Sequence, residues 1–195
     1  MINAKNPPIV IGGYKVVVWN DVFTSTELDR IVAFGDGLSP MRAQLEYGKE
    51  AAEQTRITRV AWIDRLPDTE WLFARMEEVV LHLNREVFHY DLYGLENGLQ
   101  YTVYEGAEGG HYNWHVDAGP HNPEPRKISF SLQLSDPADY DGGRLVLEAG
   151  DGAYVAEAAR GAIIAFPSYV LHRVTPTVSG VRKSLVTWVA GPEFR

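Results

Sequence analysis

Short apolar stretches separated by Gly, Asp and Pro turns run from about residue 98 to the C-terminus, and they constrain the fold most strongly. The candidate strands are LQYTVY, HYNWHVD, KISFSLQLS, GRLVLEAG, GAYVAEAA, GAIIAFPS, HRVTPTV and RKSLVTWVAG. Many short strands at this spacing are typical of an antiparallel double-sheet or barrel-like fold. The pattern predicts a jelly-roll core, also called a double-stranded β-helix.

The first half of the chain predicts helices and a few strands. Two β-branched runs in IVIGGYKVVVWNDVF and the run ITRVAWID indicate strands. Thr24 to Glu27 has the spacing of a capping box and predicts a helix that ends at Gly35 to Gly37. Asp68 or Thr69 is expected to cap a second helix, with an apolar face formed by Leu72, Met76, Val79, Val80 and Leu83. The polar, Gly- and Pro-containing segment of residues 35–56 between them is expected to be a loop.

Together these elements predict an α+β fold in which N-terminal helices pack on one sheet of the jelly roll. We expect a single domain over residues 1–195. In it, residues 1–97 form a helical support region with N-terminal strands, and residues 98–195 form the core with the active site.

Composition excludes several classes of function. The net charge of −8 argues against a nucleic-acid or anionic-membrane partner, and no apolar run is long enough to span a bilayer. The N-terminus does not resemble a secretory signal, and the chain has no cysteine, which excludes disulfides, thiolate metal sites and cysteine nucleophiles. We expect a cytoplasmic protein, and any metal must be held by histidines and carboxylates.

The segment HYNWHVDAGPHN, residues 111–122, is the strongest candidate for a metal site. In a regular strand, alternate residues share a face, so His111, Asn113, His115 and Asp117 are expected on one face and Tyr112 and Trp114 on the other. His115 and Asp117 could then reach one ion. By themselves they favour a hydrogen-bonded pair in a loop over a metal site.

A facial triad of two histidines and one carboxylate needs a third ligand. His121 is close, but it lies in the proline-rich turn GPHNPEP. His172 follows an apolar run that a neighbouring strand could bring back to the pair. His82 and His89 lie on or just after the second helix, with no carboxylates arranged around them.

Arg182 begins a strand in which Arg182, Ser184, Val186 and Trp188 alternate on one side. An arginine that faces the same cavity as a two-histidine, one-carboxylate site suits a dicarboxylate co-substrate, because its planar guanidinium binds a carboxylate through two hydrogen bonds.

From about residue 99 to residue 188 the chain resembles the Fe(II)- and 2-oxoglutarate-dependent dioxygenases, and within them the prolyl-4-hydroxylase-like group. The matching pieces, in order, are Tyr104, the run YNWHVD that ends at Asp117, the run DGGRLVL, the run GAIIAFPS, and the two positions His172 and Arg182.

This resemblance implies that His115, Asp117 and His172 ligate Fe(II). It implies that 2-oxoglutarate is the co-substrate, with Arg182 on its distal carboxylate, Tyr104 and Ser184 as further donors, and Gln133 as another contact. It also implies consumption of O2, reactivation by ascorbate, and hydroxylation of an unactivated C–H bond coupled to decarboxylation of 2-oxoglutarate to succinate and CO2. Because Asp117 is a carboxylate, the residues do not match halogenating relatives.

The resemblance leaves the substrate open between peptidyl-proline and a free amino acid or other small metabolite. Asn113, Trp188 and Arg144 are the candidates for the substrate pocket, and Trp62 and Tyr112 are further candidates for its wall. For Trp62 and Trp114, a position in the core is the stronger expectation. The loops at residues 35–55 and 119–125 are candidate lids.

Three alternatives remain. A cupin-like metal-binding protein would have no use for Arg182, and a sensor protein would keep the site without 2-oxoglutarate turnover. Zinc could occupy the same ligands, because the ligand set alone does not select iron.

Overall fold

A computed structural model describes residues 8–43, 55–96, 98–119, 124–157 and 159–193. The first half contains strands β1 (Ile9–Ile11), β2 (Val16–Trp19), β3 (Met41–Arg42), β4 (Arg56–Ile57), β5 (Arg59–Asp64) and β6 (Gly94–Leu95), helices α1 (Ser25–Gly37) and α2 (Glu70–Leu83), and a π-helical turn (Asn84–Phe88). The second half contains β7 (Gly98–Glu105), β8 (His111–His115), β9 (Arg126–Gln133), β10 (Tyr140–Gly142), β11 (Leu145–Glu148), β12 (Ala153–Val155), β13 (Ile163–Pro167), β14 (His172–Val174) and β15 (Thr177–Ala190), with 3-10 turns at Gly106–Glu108 and Pro137–Asp139.

The described strands form two sheets. The larger has the order β1-β2-β13-β9-β15-β7-β5-β3, with β6 and β10 also paired to β15, and the smaller has the order β12-β11-β14-β8-β4. Every strand pair is antiparallel. All eight strands expected after residue 98 are present, although the run HRVTPTV is divided between β14 and the start of β15. The N-terminal half contributes strands to both sheets.

Helix α1 begins and ends where its sequence signals predict, and α2 begins directly after Thr69, one of the two residues expected to precede it. The Glu27 backbone N–H donates to the Thr24 hydroxyl over 3.2 Å, and the Thr24 backbone N–H donates to the Glu27 carboxylate over 2.7 Å. This reciprocal pair satisfies donors that the first turn of a helix leaves open. Thr69 precedes α2, but its hydroxyl binds the carbonyls of Asp64 and Leu66 and does not cap the helix.

Alternation along the central strands separates an apolar core from a polar cavity. In β9, Ile128, Phe130 and Leu132 join a core that also contains side chains from α1 and α2. Ser129 and Ser131 on the opposite face of β9 line the cavity between the sheets. A second apolar cluster, which includes Leu147, Ile164 and Phe166, packs between the sheets beside that cavity. Burying each large apolar side chain contributes about 1.5–3 kcal/mol, so the two clusters hold the cavity walls rigidly.

Within the described residues, no helix has the length and apolar character needed to cross a membrane.

Candidate metal and co-substrate site

One cavity between the two sheets contains most of the residues that the sequence singles out. Side chains from β7, β9 and β15 form its wall on the larger sheet, and side chains from β8, β11 and β14 form the opposite wall. Jelly rolls place ligand sites in this position because residues of both inner faces converge there.

His115, Asp117 and His172 meet at one end of this cavity. Backbone pairing of β8 with β14 places His115 directly opposite His172. The Nε2 atom of His115 lies 3.6 Å from Asp117 Oδ1, and the Nε2 atom of His172 lies 3.5 Å from Asp117 Oδ2. One ligand atom from each residue lies within 4.8 Å of the others, a spacing at which all three could bind one ion. Two imidazoles and one carboxylate are the donor set of non-haem Fe(II) oxygenases, with positions left open for other ligands.

Both imidazoles are oriented by their other ring nitrogen. His115 Nδ1 is 2.8 Å from the carbonyl oxygen of Asn113, and His172 Nδ1 is 2.9 Å from that of Val170. A carbonyl only accepts hydrogen bonds, so each Nδ1 carries a proton and each Nε2 faces Asp117 as the nitrogen available to a metal. This arrangement fixes the tautomer that a metal requires.

The electrostatics of the three residues also favour ligation. Burial lowers the pKa of His115 to about 4, with the neighbouring His172 acting in the same direction. Burial alone would raise the pKa of Asp117, but the imidazoles of His172 and His115 and the Ser129 hydroxyl together lower it below its usual value. At neutral pH the site therefore presents a carboxylate and a neutral His115 imidazole, the forms that bind metals.

Asp117 is held by the larger sheet although it follows β8 in the chain. The Ser129 hydroxyl donates to Asp117 Oδ2 over 2.7 Å, and Ser129 and Ser168 are joined through their hydroxyls at 3.0 Å. The Asp117 backbone N–H donates to the Ser168 carbonyl over 3.0 Å. These bonds hold Asp117 in place, which is the role that outer hydrogen bonds play at metal sites.

A β-bulge in β8 changes which residues face the cavity. Tyr112 lies opposite Val174 and His115 lies opposite His172, so β8 advances one residue more than β14 between these pairs. The predicted alternation was wrong here, because the bulge turns Tyr112 into the cavity and leaves Asn113 exposed outside it. The Tyr112 ring stacks on His115 with centroids 3.5 Å apart.

Arg182 lies in the same cavity and is almost completely buried, with 1% of its surface exposed. Among the described residues, no carboxylate lies within ion-pair distance of Arg182. Its Nη1 donates to the Ser184 hydroxyl over 3.4 Å, its guanidinium stacks 5.3 Å from the Tyr104 ring, and its Nε has no hydrogen-bond partner. Burial lowers the pKa of Arg182, although Tyr104 and Tyr140 favour its charged form.

The DGGR turn leaves room for this arginine. Gly143 has φ +56°, and a Cβ atom there would lie 3.0 Å from Arg182 Cδ and 2.9 Å from the Thr177 hydroxyl. A glycine is therefore required for backbone conformation and for space.

A buried cation without an anionic partner is unfavourable unless a ligand supplies the opposite charge. Arg182 thus fits the distal carboxylate of 2-oxoglutarate, and the His-Asp-His group fits Fe(II).

The other predicted site residues have different positions. Tyr104, Ser184 and Trp188 line the cavity, and the Ser184 hydroxyl also lies 2.6 Å from that of Thr102. Gln133 is buried opposite Ser184 in the sheet, but it is not among the cavity-lining residues. Arg144 is exposed and does not line the cavity, and His121 lies outside the described residues.

The two tryptophans expected in the core are not there. Trp62 is 47% exposed and lines the cavity, and Trp114 is 39% exposed beneath the guanidinium of Arg173. Trp62 follows the strict alternation of β5, whose Ala61 and Ile63 are buried, so this periodicity was the signal for its position. Much of the two candidate lid loops lies outside the described residues.

Several residues that line the cavity were not expected at the site, among them Arg56, Gln100 and Arg126. Gln100 shares a face of β7 with Thr102 and Tyr104, so strand alternation could have identified it. Arg56 and Arg126 are the first residues of β4 and β9, next to loops, and no periodic pattern there predicts which way a side chain points.

Comparisons with known proteins agree with this geometry. Residues 99–190 match the family described as the 2OG-Fe(II) oxygenase superfamily. A PKHD-type hydroxylase of Rippkaea orientalis is 31% identical over 190 residues, which cover 89% of this chain and 78% of that protein.

The chain belongs to the 2OG-Fe(II) oxygenase superfamily.

Other relatives match over shorter regions. A PKHD-type hydroxylase of Idiomarina loihiensis is 36% identical over 88 residues, which cover 45% of this chain and 40% of that protein. One from a Synechococcus strain is 47% identical over 62 residues, or 32% of this chain and 28% of that protein. The matches to these two relatives therefore span well under half of their length.

Solved structures show the same fold. A Pseudomonas putida prolyl-4-hydroxylase superposes with a TM-score of 0.73 at 22% identity, covering 93% of this chain and 95% of that chain. A prolyl hydroxylase of Trichoplax adhaerens, in complex with a hypoxia-inducible factor oxygen degradation domain peptide fragment, superposes with a TM-score of 0.72 at 18% identity, covering 92% of this chain and 84% of that chain. The predictions of the family, its prolyl-4-hydroxylase-like group and a jelly-roll core are confirmed.

Proposed function

We propose that this 2OG-Fe(II) oxygenase hydroxylates an unactivated C–H bond and couples the reaction to decarboxylation of 2-oxoglutarate to succinate and CO2. The observation that carries the proposal is the joint presence, in one cavity, of the His115–Asp117–His172 group and a buried arginine that has no anionic partner among the described residues. A cupin-like metal site explains the first feature but has no use for the second.

The chain's residues would have distinct tasks. The Nε2 atoms of His115 and His172 and the Asp117 carboxylate would hold Fe(II), which supplies the oxidising chemistry with O2 when bound. Arg182 would bind the distal carboxylate of 2-oxoglutarate through charge-assisted hydrogen bonds, with Ser184 as a further donor. Ser129 keeps Asp117 in place.

The residues around the cavity favour a substrate with a compact apolar ring or chain. The ring centroids of Trp62 and Trp188 lie 6.2 Å apart, and the Arg126 guanidinium stacks on the Trp188 ring, 3.8 Å from its centroid. Aromatic surfaces of this kind pack well against proline rings. Peptidyl-proline and free amino acids or other small metabolites are therefore the proposed substrates, in line with the prolyl hydroxylases that share this fold.

The test is a succinate-release screen with Fe(II), 2-oxoglutarate and ascorbate. Candidate substrates are proline-containing peptides, free amino acids and small acids, with product mass measured in parallel. We expect substrate-dependent succinate and a product heavier by one oxygen atom. The His115→Ala variant should lose both signals, because it removes one metal ligand.

Two results would contradict the proposal. One is succinate release by His115→Ala at the wild-type rate, which would indicate background iron chemistry. The other is unchanged 2-oxoglutarate binding by Arg182→Ala, which would favour the cupin-like alternative.

A further inference from the structure

Three arginines line the cavity, and they differ in their partners. Arg182 lies in the position proposed for 2-oxoglutarate. Arg126 is neutralised by Glu96, because its Nε and Nη2 donate to the two oxygens of that carboxylate over 2.6 and 2.8 Å. The third arginine, Arg56, has no carboxylate partner among the described residues.

Among the described residues, the partners of Arg56 in the cavity wall are neutral groups. It belongs to β4, opposite Tyr112 of β8, and its guanidinium stacks 4.6 Å from the centroid of the Tyr112 ring. Its Nη2 donates to the Gln100 side-chain oxygen over 3.0 Å, and its buried Nε has no hydrogen-bond partner. Within the described part of the chain, no carboxylate lies within ion-pair distance of Arg56. The guanidinium is thus positioned but not neutralised.

When the charged groups of the described cavity residues are counted together with Fe(II) and 2-oxoglutarate, one positive charge remains uncompensated. Fe(II) and 2-oxoglutarate cancel each other, Arg126 cancels Glu96, and Asp117 cancels one of the two remaining arginines. This count rests on the proposed function, because it includes the metal and the co-substrate. A substrate with one negative charge would complete the balance, and desolvated charges are strongly favoured when they are paired.

We propose that Arg56 binds a carboxylate of the substrate, so that the enzyme acts on carboxylate-bearing molecules in preference to their neutral counterparts. Tyr112 links this site to the metal site, because its ring contacts both the Arg56 guanidinium and the His115 imidazole. The bound carboxylate would therefore place the substrate beside the His115 end of the cavity. The carboxylate could be the α-carboxylate of a free amino acid or an acidic side chain of a peptide.

The experiment measures binding without turnover, in the protein loaded with Mn(II) and 2-oxoglutarate. The probes are N-acetyl amino acids, N-acetyl-L-proline among them, each matched with its primary amide, and proline peptides with Glu or Gln beside the proline. Isothermal titration calorimetry gives the ratio of the two dissociation constants in each pair. We expect the carboxylate member to bind about tenfold more tightly in at least one class of pair, as a charge-assisted hydrogen bond provides. The class that shows the ratio identifies the source of the carboxylate.

Variants of Arg56 decide whether this residue is responsible. Arg56→Gln should bring the ratio close to one by weakening only the carboxylate member, and Arg56→Lys should restore part of it. Arg30→Gln is the matched control, because Arg30 also stacks on an aromatic ring, at 4.4 Å from Trp71, but does not line the cavity. It should keep the wild-type ratio.

The inference would be overturned if the wild-type protein showed a ratio of dissociation constants near one for every ligand pair, or if Arg56→Gln kept the wild-type ratio. Succinate assays with Fe(II) separate it from the proposed function. Equal turnover of amides and carboxylates would overturn the role of Arg56 while the oxygenase stands. Selective carboxylate binding without any succinate would support the role of Arg56 and contradict the oxygenase.

Discussion

Replacing Arg182 with methionine should stabilise the ligand-free protein while removing its affinity for 2-oxoglutarate. Arg182 is a buried cation with no carboxylate partner among the described residues, and its burial already lowers its pKa. Replacing a buried ion pair with apolar side chains of similar volume is often neutral or stabilising by about 1–4 kcal/mol, and Arg182 lacks even the compensating carboxylate of such a pair among the described residues. The change forfeits the stacking on Tyr104, which is worth about 0.5–2 kcal/mol. The hydrogen bond to Ser184 is long, at 3.4 Å, and Ser184 keeps its contact with Thr102.

The expected net gain is about 1–2 kcal/mol in the free energy of unfolding, by the difference of these terms. For a domain of this size, each kcal/mol raises the melting temperature by about 2–4 °C. Wild type should gain stability from the ligand instead, by about 2.7 kcal/mol at a 2-oxoglutarate concentration one hundred times its dissociation constant. Arg182→Met should show no such gain.

Denaturant titration and thermal unfolding, each with and without Mn(II) and 2-oxoglutarate, measure both effects. Arg126→Met is the contrasting control, because it leaves the Glu96 carboxylate without its partner and should destabilise the protein by about 1–3 kcal/mol. The reasoning fails if ligand-free Arg182→Met is less stable than wild type, or if 2-oxoglutarate stabilises the variant as much as it stabilises wild type.

Two other substitutions test the metal site and the core. Ser129→Ala should weaken metal binding by about 10–100-fold in a metal titration, because Asp117 loses the hydroxyl that orients it, and an unchanged affinity would contradict this role. Gly35→Ala should destabilise the protein by about 1–2 kcal/mol in denaturant unfolding, since overpacking exceeds the gain in helix propensity. Its Cβ would lie 2.5 Å from the buried ring of Tyr101, whereas Gly37→Ala meets nothing within 4 Å and should be neutral or stabilising. A stabilising Gly35→Ala would show that the ring can move.

Local patterns in the sequence were sufficient for the two helices and the longer strands. The capping box at Thr24 and the apolar periodicity of α2 predicted helices that the structure contains. In β9, alternation of apolar and hydroxyl side chains predicted which face meets the core, because successive side chains in a strand point to opposite faces. The two-residue strands β3 and β4 at the ends of the predicted loop carry no such pattern and were missed.

The candidate site was predictable in its residue types and less so in its geometry. The sequence singled out His115, Asp117, His172 and Arg182, and the structure places all four in one cavity. Their roles as ligands of iron and 2-oxoglutarate stay proposals. One error arose at the bulge in β8, where one extra residue moves Tyr112 into the cavity and Asn113 out of it, and others concern Arg144 and Gln133, which do not line the cavity.

The sequence by itself determined the strand and helix pattern, the family and the residue types available for metal and carboxylate binding, because these follow from local spacing and composition. Only the tertiary structure decided which charges are neutralised. The sequence around Arg126 and Arg56 does not show which of them is paired with a carboxylate. The fold brings Glu96 to Arg126, whereas the partners of Arg56 among the described residues are Tyr112 and Gln100. Ion pairs between residues far apart in the chain depend on strand register and strand order, so the free cation that we assign to the substrate becomes visible only when the two sheets are assembled.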